Sequence, residues 1–342
     1  MREQHLMSEG PLLDEKGNLA EPGFAYQLVK AYDRSAIKAK AWRIKEWDYY
    51  FIGNSSYGLA LTVADNGYMS MVSVSILDFI TRTERTVSKI GAFPMGKLGL
   101  PASSKEGDVV FEGKGFSFAF RHVGEKRHLV CMYAGFAKGK DFRCDIYLEP
   151  TCDDTMVIAT PFKKEAYFYY NQKINCLKAA GYAKVGDKVY DFNQNSYGVL
   201  DWGRGVWTYR NTWYWSSASF EQNGRVIGWN LGYGFGDTSA ASENMLFVDG
   251  KAYKLGDIRM DIPIKRSGGD DFMSTWTFRS PDNNIAMEFK PILDRHADTN
   301  LLILRSNQHQ VFGLFSGYII AGEERIEIES ALGFAEKVYN KW

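Results

Sequence analysis

Four side chains stand in settings that could do chemistry: Asp201, Arg204, Glu243 and His309. Asp201 and Arg204 open DWGRGVWTYRNTWYW (201–215), a stretch that also holds four of the chain's nine tryptophans. Apolar rings belong inside and charge belongs in water, so a segment carrying both points to a buried ion pair or to a pocket. Glu243 stands next to last in GDTSAASEN (236–244), and His309 opens an apolar strand in NQHQVF (307–312). Two carboxyls flanking one apolar cavity suit acid–base work. An acid kept protonated there can protonate a double bond, as in hydration, isomerisation or cyclisation. The plainer alternative is structural. Asp201 and Arg204 would brace one end of a barrel, Asp237 and Thr238 would cap a turn, Glu243 would be solvated, and His309 would be an ordinary hydrogen-bonded residue.

The residues expected to line a ligand site are Trp202, Trp207, Tyr209, Trp213 and Trp215 for apolar contact, with Asn230 and Asn244 for orientation. In VIGWNLGYGF (226–235) the period of two puts Gly228, Asn230, Gly232 and Gly234 on one face and Trp229, Leu231, Tyr233 and Phe235 on the other. Glycine weakens a strand, so the bare face needs a reason: close packing against neighbours, or room left for a ligand.

The elements that must position these residues are strands. YGLALTV runs through Asp65-Asn66-Gly67 into YMSMVSVSILDF, and DVVFEG, FSFAFRHV, RHLVCMYAGF and FRCDIYLEP follow with short Gly turns. The rhythm resumes at 175–192, 212–220, 226–235, 245–255, 309–320 and 325–330. One or two helical turns fit in 24–40, and the tail GFAEKVYNKW suits a strand or a short helix. The pattern predicts an all-β fold of two packed antiparallel units, residues 1–161 and 162–342, with the pocket mainly in the second.

Composition bounds the function. The net charge is zero, with 41 basic and 41 acidic residues, which gives no pull toward nucleic acid. No apolar run has the length of a membrane-spanning helix, and the start has no apolar leader segment. The four cysteines lack C-x-x-C or zinc-finger spacing, so they read as reduced thiols of a cytoplasmic protein. His122, His128 and His296 form no metal pattern, and no phosphate loop, dinucleotide fingerprint or G-x-S-x-G elbow occurs. No metal and no cofactor are expected. The partner expected is a small molecule.

KEWDYY, TVADNGY, FYYNQKIN, DWGRGVW, NLGYGFGDTSAASEN, HQVFGLFSG and GFAEKVYNKW together resemble an uncharacterised bacterial family known only as a domain of unknown function, over nearly the whole chain. The order GYAKVGDK (181–188), Gly198, Asp201-Trp202 and WYWSS (213–217) is more distantly similar to the second domain of AttH-like and carotenoid hydratase proteins. That resemblance implies a two-domain lipocalin-like (calycin) fold, relatives that cyclise long apolar substrates, and an acidic residue at the cavity. Here Asp201 precedes Trp202 where those relatives carry Trp before Asp, and Arg204 stands where they carry His or Glu. The expected function is binding, or acid–base conversion, of a small apolar or lipid-like molecule. A lipid carrier, a carbohydrate-binding protein and a filled scaffold are the alternatives.

Overall fold

Left-handed residues mark the tight turns. Asn223-Gly224 and Asp249-Gly250 both have positive φ and close two-residue hairpins between facing strands. The computed structural model describes residues 3–301 and 304–341. Its regular structure is almost all strand, with two single turns of 3-10 helix, one at Arg34–Ala36 inside the segment expected to turn helically and one at Ala41–Arg43 just beyond it. The tail is strand, Glu324–Lys341. No helix among the described residues is long and apolar enough to cross a membrane.

Two large antiparallel sheets hold nearly everything. The first contains, in spatial order, Thr83–Ala92, Met69–Asp78, Tyr57–Asp65, Lys45–Gly53, Tyr197–Val206, Phe168–Val185, Lys140–Pro150, Lys126–Ala137, Phe116–Val123 and Val109–Gly113. The second runs Lys251–Lys254, Met245–Val248, Arg225–Tyr233, Arg210–Gln222, Glu324–Lys341, Leu304–Ala321, Ile285–Leu301, Trp276–Arg279 and Arg259–Asp261. The change of sheet falls between Val206 and Arg210. Thr160-Pro161 ends a strand, but Phe168–Val185 and Tyr197–Val206 return to the first sheet and sit at its centre.

Each sheet curls around its own filled core. Trp202, Tyr50, Tyr170, Phe118 and Phe142 fill the first, and Trp229, Trp276, Phe278, Phe289 and Phe315 fill the second. The opposite faces of the two sheets meet each other. One end of that seam is closed by Phe51, Phe79, Phe312, Phe334 and Leu293. Another part is pinned by a bulge in the strand Phe168–Val185. There Cys176 has φ +57°, which aims Asn175 across the seam. Asn175 Nδ2 donates to Ser217 Oγ at 2.8 Å and to the Trp229 carbonyl at 2.9 Å. All four cysteines are buried free thiols.

Candidate functional site

Between the closed end and the outer edge, the seam opens into a cavity of about 340 Å³. Strand register builds its walls. On the first sheet Lys173, Asp201, Tyr49, Thr62, Ser73 and Ser88 are successive partners across strands, one row of side chains on one face. On the second sheet Trp215, Glu336, Gln310 and Arg295 form the facing row. All of these line the cavity. Strand Thr83–Ala92 is the edge of its sheet and is largely exposed, so Glu84, Thr86 and Ser88 form the mouth. Asp201 and Glu336 are buried and form the floor.

Aromatic rings make the apolar wall. Phe235 is its hub, packed edge-on against Tyr169, Trp207 and Trp213 with centroids 4.9, 5.4 and 5.1 Å away. Trp47 stacks on Tyr169 and meets Trp207 edge-on. Gly203 lies against the Trp47 indole, in space that a Cβ would take. These rings pack against one another.

Three carboxyls converge on the floor. Asp201 Oδ1 accepts from Lys173 Nζ at 2.8 Å and from Asn171 Nδ2 at 2.6 Å. The same ammonium sits 3.7 Å from the Trp215 ring centroid. Glu336 Oε1 accepts from the Trp213 indole N–H at 3.0 Å, and Oε2 from Gln310 Nε2 at 3.2 Å. The Tyr49 hydroxyl in turn donates to Gln310 Oε1 at 3.2 Å, which fixes the amide. Burial pushes the Glu336 carboxyl up to about 7, against the opposing pull of the Trp213 hydrogen bond, Lys173 and Arg295. Glu243 is the third. It occupies the space above Gly232, and Asn230 holds its backbone carbonyl at 2.7 Å while accepting the Trp215 indole N–H at 2.7 Å. Burial raises Glu243 above the ordinary carboxyl value, with Lys173 opposing and Asp201 adding to the rise. Carboxyls raised by burial thus stand beside one salt-bridged to a lysine, groups that can serve as acid and base in one apolar chamber.

The residues expected to form a site divide cleanly. Asp201, Glu243, Trp207, Trp213 and Trp215 line the cavity. Asn230 stands just behind it, fixing Trp215 and Glu243. Asn244 is buried and structural, accepting from the Gly232 N–H and donating to the Gly256 carbonyl. Arg204 and Trp202 lie away from the cavity: both point into the first sheet's core. Residues 197–206 are one regular strand, so a spacing of three puts Asp201 and Arg204 on opposite faces. Arg204 is fully buried and donates to Asp48 Oδ1 at 3.0 Å and to the carbonyls of Trp47, Gly203 and Pro101. Trp202 packs edge-on between Tyr32 and Tyr170. Tyr209 is exposed, with Lys341 over its ring. His309 alternates away from Gln310. It bonds Asp294 Oδ2 through Nδ1 at 2.7 Å and stacks between Phe272 and His296. The pocket is likewise not inside the second unit's barrel, because that interior is filled; both sheets wall it.

Sequence reasoning missed Glu336, Lys173, Tyr49, Gln310 and Arg295. Glu336 had a signal: in GFAEKVYN it shares a strand face with Phe334 and Val338, a lone acid on an apolar face. Lys173 stands likewise amid the buried run FYYNQKIN. The bare face of 226–235 also resolves. A Cβ on Gly228 would come within 2.5 Å of Cys176 Sγ, and one on Gly232 would displace the Glu243 carboxylate. Among the described residues no cluster of His, Cys, Asp and Glu could hold a metal ion.

With the geometry in place, comparison with known proteins gives the family. The chain belongs to the family described as a domain of unknown function (DUF2804), whose model matches residues 3–342. No curated protein matches it by sequence. Among solved structures it is similar to a putative AttH from Nitrosomonas europaea, with TM-score 0.51 and 11% identity over 90% of this chain and 96% of that one. Kievitone hydratase from Nectria haematococca gives TM-score 0.46 and 11% identity over 87% and 88%. CghA gives 0.43 and 9% over 97% of both chains. At such identity the first likeness shows the fold alone: two curled antiparallel sheets of lipocalin-like type.

Proposed function

We propose that this member of the family encloses a small apolar molecule between its two sheets and transforms it by acid–base chemistry, with Glu336 as the acid. The observation that carries this reading is the convergence of Asp201, Glu243 and Glu336 on the floor of an indole-walled cavity, with Glu336 pushed up to about 7 by burial. Near neutral pH an acid of that strength is present in both forms, which is where a general acid works best. Glu336 gives its proton to a carbon of a double bond, leaving positive charge on the neighbouring carbon. The Trp213 indole and the Asp201 carboxylate stabilise that charge. Attack by water, with its proton passed to a carboxylate, completes a hydration. Loss of a neighbouring proton to Asp201 or Glu243 completes an isomerisation. Attack by a second double bond of the ligand closes a ring, and the new cationic carbon then loses a proton to one of the same carboxylates.

The ligand also carries polar substituents in this reading. Trp207 Nε1 and Asn340 Oδ1 belong to cavity-lining side chains and are buried with no hydrogen-bond partner among the described residues. A ligand acceptor and a ligand donor would satisfy them.

The test pairs two measurements on the wild-type protein and Glu336→Gln. Native mass spectrometry reads what is retained in the cavity. Incubation with an apolar metabolite extract, followed by mass analysis, reads what is consumed. The expected result is a bound small molecule in both proteins, and a species gaining the mass of water, or changing retention at constant mass, only with wild type. Retention in both with no conversion by either would make the protein a carrier and end the catalytic reading.

A further inference from the structure

Arg295 projects from the strand Ile285–Leu301 into the outer half of the cavity and is half-buried. Its Nη1 donates to Ser75 Oγ at 2.8 Å, and its guanidinium carbon lies 5.9 Å from the Tyr49 ring centroid. None of the ion pairs among the described residues includes it; the cavity's other cation, Lys173, is held by Asp201. The hydroxyls beside it serve one another. Thr86 Oγ1 lies 2.8 Å from Ser75 Oγ and 2.9 Å from Glu84 Oε2, and Ser88 Oγ donates to Ser73 Oγ at 2.9 Å. The remaining charged groups on the cavity wall are acidic: Glu84 at the mouth, and Asp201, Glu243 and Glu336 on the floor.

A guanidinium has five N–H donors in a rigid fork, and taking it partly out of water is costly unless an acceptor meets it. Here one donor is used on a hydroxyl and no carboxylate of the protein answers the rest. We infer that the ligand of this cavity carries a carboxylate, which Arg295 grips while the apolar body lies along the indole wall toward Glu336; this rests on the enclosing cavity proposed above. The fork geometry suits a planar carboxylate, which accepts two parallel N–H bonds. A single negative charge also fits better than two, because Glu84 and the acidic floor repel the second. Register adds a length requirement. Arg295 and Glu336 both pair with Gln310, so two strand spacings separate them, about 10 Å between backbone rows. The carboxylate and the reacting bond of the ligand are therefore separated by a comparable span.

The test uses cis-parinaric acid, a polyene carboxylate, and its methyl ester, each titrated against the indole fluorescence of the full chain. The acid is expected to bind about 10- to 100-fold tighter than the ester, the worth of a charge-assisted hydrogen-bond pair. Arg295→Gln should abolish that preference while leaving ester affinity and thermal stability in place, and Arg295→Lys should restore part of it. Equal affinity of acid and ester for the native protein would overturn the inference and leave the cavity reading standing. So would Arg295→Gln weakening both alike. Decyl phosphate displacing the acid more strongly than decanoate would overturn the carboxylate assignment. Binding of neither probe by a folded protein would refute the enclosing cavity, and this inference with it.

Discussion

Replacing Glu336 by glutamine removes a carboxyl that the fold prefers to keep protonated, and this makes its effect on stability depend on pH. Burial holds the group up to about 7 in the folded chain against an ordinary 4.5. Between those two values the folded state binds the proton and the unfolded state has released it. Wild-type stability therefore falls as pH rises through that window and levels off above it. At about 1.4 kcal/mol per pH unit the full fall is about 3 kcal/mol. The neutral amide has no such slope. Its oxygen still accepts from Trp213, and the Gln310 amide can turn over to accept from the new NH₂ while the Tyr49 hydroxyl accepts from Gln310. The variant should match wild type near pH 4 and exceed it by up to about 3 kcal/mol above pH 8. Urea unfolding followed by tryptophan fluorescence at pH 4, 5.5, 7 and 8.5 measures this directly. Parallel pH profiles for the two proteins, or a variant weaker than wild type at pH 8.5, would refute the argument that burial keeps this acid protonated.

Other substitutions separate the site from the scaffold. Asp201→Asn leaves the buried Lys173 ammonium without its counter-charge and should cost about 3 kcal/mol in denaturant unfolding. Adding Lys173→Met should recover part of that cost in a double-mutant cycle. Arg204→Met strands the buried Asp48 carboxylate and should cost about 3–5 kcal/mol in the same assay. Because its side chain lies outside the cavity, ligand affinity of the folded fraction should not change. Gly232→Ala pushes against the Glu243 carboxylate and should impair ligand conversion more than stability. Gly228→Ala meets Cys176 and the Ala218 backbone where the sheets dock, so it should lower the melting temperature instead. The four buried thiols should resist a thiol reagent in the native state and all react in urea.

Local pattern reached a long way into this molecule. Alternation and Asn-Gly or Asp-Gly turns are properties of neighbouring residues, so the strands Tyr57–Asp65, Met69–Asp78, Arg225–Tyr233 and the hairpin at Asp249-Gly250 were legible in the chain. So was the all-β class. The motif strings carried the family, and alternation alone separates Asp201 from Arg204 once 197–206 is read as a strand, not as a bend made by glycines. What the chain could not display is which faces meet. Lys173, Asp201, Tyr49, Glu336 and Arg295 come from five strands spread over more than a hundred residues, and only register and the docking of one sheet on the other put them around one hollow. The same docking decided that the hollow lies between the sheets, because each sheet spent its own large rings on filling its inner curve. A side chain's partner across such a seam is fixed by long-range packing, on which the spacing of residues along the chain carries no information.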